Sequence, residues 1–339
     1  MSKKKVRVGI VGTGNITYVH EAGYTETSDL AQIVAVCDVN EAVARDRATP
    51  YGARVYSDYR ALVADAEIDL VDVTVPHRWH YEIALAALQQ GKHVLVEKPM
   101  AMTAGQALHL IQTAQAKDVK FTVAENTRFV AAYVEVERLL AAGVVGDIRF
   151  VRTYIAGSEV ARIKSESSWV GSIENKGVLL DSGVHSFYLM RWLFGGVRDI
   201  QAATFKILSE SRVDDTTIAL GHLANGAVFE TTQSCIVEAP WTERLEVHGS
   251  KGSLIVDHLA NPTLVHFKGP DDVDGTPVVA VPYEPLAWKY LSMIEEVKDF
   301  VQAIVDERAP LIDPMYGYHA IQAVEAAYAS IASNSVVCF

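Results

Sequence analysis

The sequence predicts an α/β protein of two domains, in which a doubly wound parallel sheet is followed by an α+β domain built on a mainly antiparallel open sheet. The N-terminal third alternates short apolar runs with helical stretches, whereas from residue 148 onward the runs are longer and alternate apolar with polar residues. A length of 339 residues with 50% hydrophobic content provides for two cores. We place the boundary so that residues 1–124 form the first domain and residues 125–339 the second.

The first domain is predicted from five apolar runs that are rich in valine and isoleucine. Such runs are typical of parallel strands that are covered on both faces. A helix over residues 81–90 is one of the connections between them. The predicted strands are residues 6–11, 32–37, 70–75, 93–96 and 120–124.

The second domain is predicted to be mainly antiparallel because tight-turn signals join its runs. Asn225-Gly226 and residues 250–252 have the composition of hairpin turns. Two amphipathic helices over residues 287–305 and 316–332 close the chain, and we expect them to pack back on the first domain. The predicted strands are residues 199–208, 216–222, 227–234 and 244–248.

A glycine turn follows the first strand and precedes a predicted helix. Gly12 and Gly14 allow a tight turn and the close approach of a pyrophosphate, which then lies at the helix N-terminus. Thr17 stands where the usual fingerprint has a third glycine, so we expect the helix and strand to lie slightly further apart. A pair of glycines is also common in ordinary strand-to-helix turns.

Asp38 makes the nucleotide interpretation the better one, because it ends the second strand. There a carboxylate accepts hydrogen bonds from the adenosine ribose hydroxyls. The same charge repels a 2′-phosphate, which favours NAD over NADP. Asp38 also suits a cap on the helix that begins near Asn40, and the two roles are compatible.

Lys98 is predicted to stand at the tip of a buried strand. Residues 94–96 are apolar, and Pro99 ends the pairing because it has no backbone donor. Ligands bind beyond the carboxyl ends of strands in open α/β sheets, so a lysine here can contact both cofactor and substrate. The alternative is a lysine that simply reaches solvent.

A second group of reactive side chains lies in the other domain. The four-residue spacing of Asp181 and His185 places them on one face of a helix, and Tyr188 and Trp192 continue that stripe. Histidine takes and returns a hydroxyl proton near neutral pH, as the interconversion of an alcohol and a carbonyl requires. Aspartate and histidine pairs on helices are also common as structural pairs.

These motifs resemble the Gfo/Idh/MocA family, the group that contains glucose-fructose oxidoreductase and inositol dehydrogenase. The resemblance covers nearly the whole chain. It rests on residues 9–16, 74–80, 91–99, 125–129, 180–185 and 317–330.

The resemblance implies an N-terminal Rossmann domain, an open sheet used for assembly into a homodimer or homotetramer, and nicotinamide-dependent oxidation of sugars or polyols. The family's catalytic residues correspond to Lys98, Asp181 and His185. We therefore predict an NAD-dependent dehydrogenase that acts on a secondary or anomeric hydroxyl of a sugar, cyclitol or related polyol. The alternatives are an NAD-dependent glycosidase that acts by transient oxidation and elimination, and a non-catalytic dinucleotide-binding sensor.

Two sets of binding residues follow from the motifs and the resemblance. The predicted NAD-binding residues are Gly12, Gly14, Asn15, Ile16, Asp38, Thr74, Pro76, His77, His80, Glu97, Lys98 and Asn126. The predicted substrate-binding residues are Lys98, Arg152, Tyr154, Trp169, Asp181, His185 and Tyr188. His77 and His80 equally suit caps of the following helix, and ordinary packing is the alternative for Arg152, Tyr154 and Trp169.

Three positions depart from the family pattern. Many members have asparagine at His77, glycine at Lys176 and aspartate at Tyr188. These departures bear on the substrate rather than on the fold.

Composition argues against several classes of protein. A net charge of −12 disfavours a nucleic-acid partner, and no apolar run approaches the roughly 18 residues of a membrane span. The N-terminus lacks a signal-peptide core, which predicts a cytoplasmic protein. Cys37, Cys235 and Cys338 form no metal-ligand pattern, so we expect no metal.

Overall fold

The computed structural model describes residues 5–165, 168–170, 172–279 and 287–339. The chain divides into two compact units, of which the first comprises Met1–Phe129 and Lys289–Tyr318 and the second Val130–Trp288 and His319–Phe339. Each unit contains its own sheet.

The first unit contains a parallel sheet. Its strands are β1 (Val6–Val11), β2 (Ala31–Cys37), β3 (Arg54–Tyr56), β4 (Leu70–Val73), β5 (His93–Glu97) and β6 (Phe121–Ala124). Among the described residues these strands pair in the order β3-β2-β1-β4-β5-β6, and all pairs are parallel. The order changes direction between β1 and β4, which is the switch point of a doubly wound sheet. The predicted parallel sheet is therefore confirmed, and β3 is an addition that the sequence did not predict.

Helices connect these strands, and several begin at a side-chain cap. They are α1 (Thr17–Glu26), α2 (Glu41–Ala48), α3 (Tyr59–Ala64), α4 (His80–Gln89) and α5 (Ala104–Ala116). The side chains of Asn40, Asp58 and Thr103 each accept a hydrogen bond from the first turn of the helix that follows. These caps satisfy donors that the helix itself cannot pair, so each helix begins at a defined residue.

The second unit contains the larger sheet. Its elements, followed by the closing segment of the chain, are α6 (Ala131–Ala141), β7 (Ile148–Ala156), α7 (Val160–Lys164), α8 (Val178–Asp181), α9 (Gly183–Phe194), β8 (Val197–Phe205), β9 (Thr216–Leu223), β10 (Val228–Ser234), β11 (Thr242–Gly249), β12 (Ser253–Asp257), β13 (Leu264–Phe267), β14 (Thr276–Val279), α10 (Ala287–Val305), α11 (Pro314–Ser333) and β15 (Val337–Cys338).

This sheet has the order β14-β13-β12-β11-β7-β10-β9-β8-β15 within the described residues. Only β7 and β10 pair in parallel there, and the remaining neighbours are antiparallel. The prediction of a mainly antiparallel sheet is confirmed.

The two faces of this sheet differ because side chains alternate along each strand. Thr153 and Thr231 are buried on the inner face and bond each other at 2.6 Å. Gln233 continues that face and donates to Ser186 of α9 at 3.2 Å, so α9 covers it. Arg152, on the same strand as Thr153, therefore points to the outer face.

The helix α10 contributes to the core of the first unit. Val297, Phe300 and Val301 of its buried face join the apolar side chains of β1 and β2. A Cβ at Gly23 of α1 would lie 2.6 Å from the Cβ of Val297, so glycine permits the close packing of α1 on α10. None of the described helices has the combined length and apolar character needed to cross a membrane.

Candidate active site

The glycine turn between β1 and α1 is held by two threonines. Gly12 has a φ of 102°, and an added Cβ would overlap the backbone carbonyl of Thr74. The hydroxyls of Thr17 and Thr74 both donate to the Gly12 carbonyl, at 3.1 and 3.0 Å. Thr17, which replaces the third glycine of the fingerprint, therefore fixes the turn.

The residues after this turn fit a dinucleotide phosphate. The backbone N–H groups of Gly14, Asn15 and Ile16 make no hydrogen bond to any of the described residues. A Cβ at Gly14 would meet no atom within 4 Å, so the surface above it is open. Free donors at the start of a helix, with space beside them, are the features that bind pyrophosphate.

Asp38 at the end of β2 is bonded to the glycine turn. Its Oδ2 accepts from the N–H and the hydroxyl of Thr13, at 2.9 and 2.7 Å. Its Oδ1 accepts from the N–H of Asn40 at 2.8 Å, while the side chain of Asn40 caps α2. Asp38 therefore braces the loop that carries Gly14 and does not itself cap the helix.

Lys98 follows directly on the last residue of β5. Its side chain is half-buried, and its backbone N–H donates to Oε2 of Glu97 at 2.9 Å. Glu97 is buried, with 7% of the residue exposed. Lys98 thus lies at the carboxyl end of a parallel strand, as the sequence predicted.

His80 ties the ends of β4 and β5 together. Its two ring nitrogens lie 2.7 Å from the carbonyl oxygens of Val75 and Pro99. Burial, together with the neighbouring His77, lowers the pKa of His80 to about 4, although both carbonyls favour the charged ring. A neutral ring can donate to only one of these two carbonyls, because it carries a single N–H.

Neither His77 nor His80 caps α4. The N-cap residue of that helix is Trp79, and no side chain accepts a hydrogen bond there. His77 is buried and meets His80 edge-on, with ring centroids 5.6 Å apart. Both histidines are therefore part of the packing around Pro76 and the strand ends.

Asn126 lies after β6 and is also committed to packing. Its amide donates to the hydroxyl of Ser292 in α10 at 2.8 Å.

The predicted NAD-binding residues all lie at or just beyond the carboxyl ends of β1, β2, β4, β5 and β6. In a parallel sheet these ends share one edge, so the structure brings this set together.

A buried network of charged side chains lies beneath that edge, and the sequence did not predict it. His20 of α1 bonds Asp72 through Nδ1 at 2.9 Å and Glu97 through Nε2 at 3.1 Å. Tyr24 also donates to Asp72, at 2.9 Å. Donor atoms of His20, Glu97 and Glu296 lie within 4.8 Å of one another. Because carboxylates occupy both ring nitrogens of His20, this group is an ion-pair network and not a set of metal ligands.

Asp181 and His185 lie on two short helices instead of one. Asp181 ends α8, Ser182 forms a turn, and His185 lies in the first turn of α9. The prediction of one continuous helix for these residues is wrong, while Ser182 between the two helices keeps a right-handed helical conformation. Ser182 and Gly183 are both weak helix formers, which fits the break at this point. His185 is 5% exposed, whereas Asp181 is half-buried.

The helix α8 is anchored by Asp214, which sequence patterns did not reveal. Its carboxylate accepts from the N–H of Leu179 at 2.9 Å and from the hydroxyl of Tyr328 at 3.0 Å. A Cβ at Gly177 would overlap the Asp214 carboxylate, so glycine is required for this approach. Burial and Asp214 raise the pKa of Tyr328, which therefore remains a donor.

The predicted substrate residues of the second unit are not all brought together. Tyr188 is buried on α9, with its ring 6.4 Å from that of Trp192. Arg152 and Tyr154 lie on the outer face of the sheet, opposite to α9, where Arg152 pairs with Glu230 at 2.6 Å. The geometry thus separates Arg152 and Tyr154 from His185.

Trp169 lies in the segment between α7 and α8. It is half-buried, and the guanidinium of Arg162 lies 5.7 Å from its ring centroid. This contact is a cation–π arrangement on the surface of the unit.

Two family models match most of the chain. The model described as "Oxidoreductase family, NAD-binding Rossmann fold" (GFO_IDH_MocA) matches residues 6–125. The model of the GFO/IDH/MocA C-terminal domain matches residues 133–255. The two matches fall in the first and second unit respectively.

Characterised relatives include carbohydrate and diol dehydrogenases. The chain is 32% identical over 215 residues to D-glucoside 3-dehydrogenase of Escherichia coli, an alignment that spans 61% of this chain and 59% of that protein. It is 28% identical over 240 residues to trans-1,2-dihydrobenzene-1,2-diol dehydrogenase of Bos taurus, covering 70% of each.

Solved structures share the fold over the whole length. A levoglucosan dehydrogenase in complex with NADH and L-sorbose has a TM-score of 0.89 at 23% identity, and the match covers 99% of both chains. At this identity the likeness establishes the fold.

Proposed function

Because the chain belongs to the GFO/IDH/MocA oxidoreductase family, we propose that it is an NAD-dependent dehydrogenase acting on a secondary or anomeric hydroxyl of a sugar, cyclitol or related polyol. The observation that carries the proposal is the edge of the first sheet, where the unpaired donors of the glycine turn and the strand-end Lys98 occur together. In this proposal residues 1–124 bind the cofactor and residues 125–339 bind the substrate.

The cofactor, when bound, supplies the hydride acceptor for alcohol oxidation. Gly14, Asn15 and Ile16 hold its pyrophosphate through their backbone N–H groups. Asp38 orders the loop through Thr13 and places a negative charge where a 2′-phosphate would lie. This charge supports the preference for NAD over NADP.

In this proposal three side chains act on the substrate, those of Lys98, His185 and Asp181. Lys98 binds and polarises the reacting oxygen, because an ammonium stabilises the alkoxide that develops there. His185 takes the hydroxyl proton during oxidation and returns it during reduction. Asp181 orients a neighbouring hydroxyl or His185 itself. The anchoring of α8 by Asp214 and Tyr328 supports a fixed position for Asp181.

The relatives support a ring substrate with adjacent hydroxyls. A glucoside and a dihydrobenzene-1,2-diol differ in size and in the number of hydroxyls, but both are rings on which neighbouring carbons carry hydroxyls. Two adjacent hydroxyls allow one to react while the other is recognised by a polar side chain. A site built for this recognition discriminates strongly against simple alcohols, because its buried polar groups would be left unpaired.

Assembly into a homodimer or homotetramer is part of the same proposal. It is supported by large apolar side chains on the outer face of the second sheet, where Ile218, Leu220 and Val228 are 41%, 50% and 42% exposed. Apolar patches of this kind are typical of protein interfaces. Light scattering at several protein concentrations tests it, and a monomer throughout would contradict it.

Two single substitutions test the assigned roles. We expect Lys98→Ala and His185→Ala each to lower kcat on the order of 10² to 10⁴-fold, the usual effect of removing a positioned acid, base or charge. The affinity for NAD, measured by calorimetry, should remain close to the wild-type value. Lys117→Ala and His109→Ala change the same residue types at exposed positions and serve as matched controls. Near-normal kcat in both test variants would refute the assignment.

A further inference from the structure

A continuous chain of buried contacts leads to the backbone of Lys98. Tyr24 donates to Oδ2 of Asp72 at 2.9 Å, and the same oxygen bonds Nδ1 of His20 at 2.9 Å. Nε2 of His20 bonds Oε1 of Glu97 at 3.1 Å, and Oε2 of Glu97 accepts the N–H of Lys98 at 2.9 Å. The chain joins α1, β4 and β5.

All members of this chain except Lys98 are withdrawn from solvent. His20 and Asp72 have no exposed surface, and Tyr24 and Glu97 are 2% and 7% exposed. A buried carboxylate is costly unless it is paired, so each acid here depends on its partner. The contact between His20 and Glu97 is therefore a strong constraint on where the Glu97 carboxylate lies.

We propose that His20, supported by Asp72 and Tyr24, is a positioning residue that fixes Lys98 through the Glu97 carboxylate. The inference rests on the proposed role of Lys98 at the reacting oxygen. His20 touches neither substrate nor cofactor in this account. It fixes the position of the Glu97 carboxylate, to which the backbone N–H of Lys98 is hydrogen-bonded. The position from which the lysine side chain extends is thereby fixed as well.

The proposal requires His20 to be an imidazolium. Only the charged ring has two N–H donors, so only it can donate to Asp72 and Glu97 together. Burial opposes this charge, but the two carboxylates outweigh burial and raise the pKa of His20 well above its ordinary value. Burial raises the pKa of Glu97, but the hydrogen bond to His20 and the charges of His20 and Lys98 together lower it.

The other acids near His20 are consistent with that charge state. Glu296 on α10 is 2% exposed, and burial together with Glu97 raises its pKa well above the ordinary value, which favours its neutral form. Glu21, beside His20 on α1, is paired with Arg47 at 2.6 Å. The charged neighbours that act on His20 are therefore Asp72 and Glu97.

Asp72→Asn is the decisive substitution because it retains the shape and removes the charge. Without Asp72 the imidazolium loses its main support, so we expect the pKa of His20 to fall and the neutral ring to be favoured at pH 8. Its Nδ1–H then donates to the new amide oxygen, and a lone pair on Nε2 faces Glu97. Lowering the pH restores the imidazolium and with it the contact to Glu97.

The experiment compares Asp72→Asn and Tyr24→Phe with Tyr56→Phe. The control removes a similar bond, from Tyr56 to Asp65 at 2.8 Å, elsewhere in the same unit. We expect Asp72→Asn to lower kcat at pH 8 on the order of 10 to 100-fold, the usual result of a small misplacement of a reacting group. Tyr24→Phe should have a smaller effect of the same kind, and the control none.

Two further measurements separate positioning from loss of structure. The Kd for NAD should change less than about twofold, and the ratio of the kcat of Asp72→Asn to that of the wild type should rise as the pH falls from 8 to 6. If Lys98→Ala is inactive, either of two results would overturn the inference. One is a ratio of the kcat of Asp72→Asn to that of the wild type that does not depend on pH. The other is a kcat of Asp72→Asn equal to that of the wild type at pH 8. If Lys98→Ala itself turns over normally, the proposed function fails, and His20 has no catalytic lysine to position.

Discussion

The open space above Gly14 allows the cofactor site to be tested without disturbing the fold. The position has no protein atom within 4 Å of an added Cβ, and its φ lies outside the left-handed region. Gly14→Ala should therefore leave the free energy of unfolding unchanged or raise it by roughly 0.4–1 kcal/mol, through the reduced freedom of the unfolded chain. In the proposed site the new methyl group projects into the space that the pyrophosphate would enter.

The expected loss is in cofactor affinity alone. A methyl group that holds the phosphates off the N–H donors of Asn15 and Ile16 weakens several charge-assisted hydrogen bonds at once. We expect Kd for NAD to rise at least about tenfold, which corresponds to about 1.4 kcal/mol. Isothermal titration calorimetry gives Kd, and urea unfolding followed by circular dichroism gives stability.

A matched glycine makes the comparison specific. Gly105, in the first turn of α5, likewise has no atom within 4 Å of an added Cβ. Gly105→Ala should likewise leave the free energy of unfolding unchanged or raise it by roughly 0.4–1 kcal/mol, but should leave Kd near the wild-type value. An unchanged Kd for NAD in Gly14→Ala would refute the placement of the pyrophosphate over this turn.

Three further predictions concern selectivity, helix anchoring and pH. Asp38→Asn should reduce the preference for NAD over NADP, measured as the ratio of kcat/KM, by about tenfold; an unchanged ratio would show that this carboxylate does not repel the 2′-phosphate. Tyr328→Phe removes the hydroxyl bonded to Asp214 and should lower stability by about 1 kcal/mol and kcat severalfold, with Kd for NAD unaffected; an unchanged kcat would mean that this bond does not help to fix Asp181. His80 has a pKa of about 4 in the folded chain and an ordinary value of 6.5, so its contribution to stability is present above pH 6.5 and is lost as the pH falls towards 4. The difference in unfolding free energy between wild type and His80→Gln should therefore shrink between pH 7 and pH 5, and a constant difference would contradict the neutral buried ring.

The sequence alone predicted the parts of the site that depend on local chemistry. A turn with Gly12 and Gly14 after an apolar strand, a carboxylate at the end of the next strand and a lysine before Pro99 are each recognisable within a few residues. Their shared location follows from strand order, because parallel strands end at one edge. That edge is where the structure places them.

The buried network escaped prediction because its members are distant in sequence. His20, Asp72, Glu97 and Glu296 meet only once the strands and α10 are packed. One signal was available in the sequence: Asp72 interrupts the apolar run Leu70–Val73, and a charged residue in a strand buried on both faces needs a partner. The identity of that partner depends on tertiary structure.

The second unit shows two other limits of sequence reasoning. Asp181 and His185 have helical spacing, but anchoring of α8 by Asp214 and the turn at Ser182 interrupt the helix. Alternation placed Arg152 and Tyr154 on one face of their strand. Which face α9 covers is decided by packing, through contacts such as that of Gln233 with Ser186.

Substrate-dependent formation of NADH decides whether the chain is a polyol dehydrogenase. Cyclitols, aldoses, glycosides and short-chain secondary alcohols are supplied at equal concentration with NAD, and absorbance at about 340 nm is followed while release of the glycoside leaving group is assayed in parallel. We expect NADH from ring substrates with adjacent hydroxyls and none from simple alcohols, because in the proposed site the polar side chains of Lys98, Asp181 and His185 require matching hydroxyls. Turnover of simple alcohols alone, or release of a leaving group without net NADH, would contradict the proposed reaction.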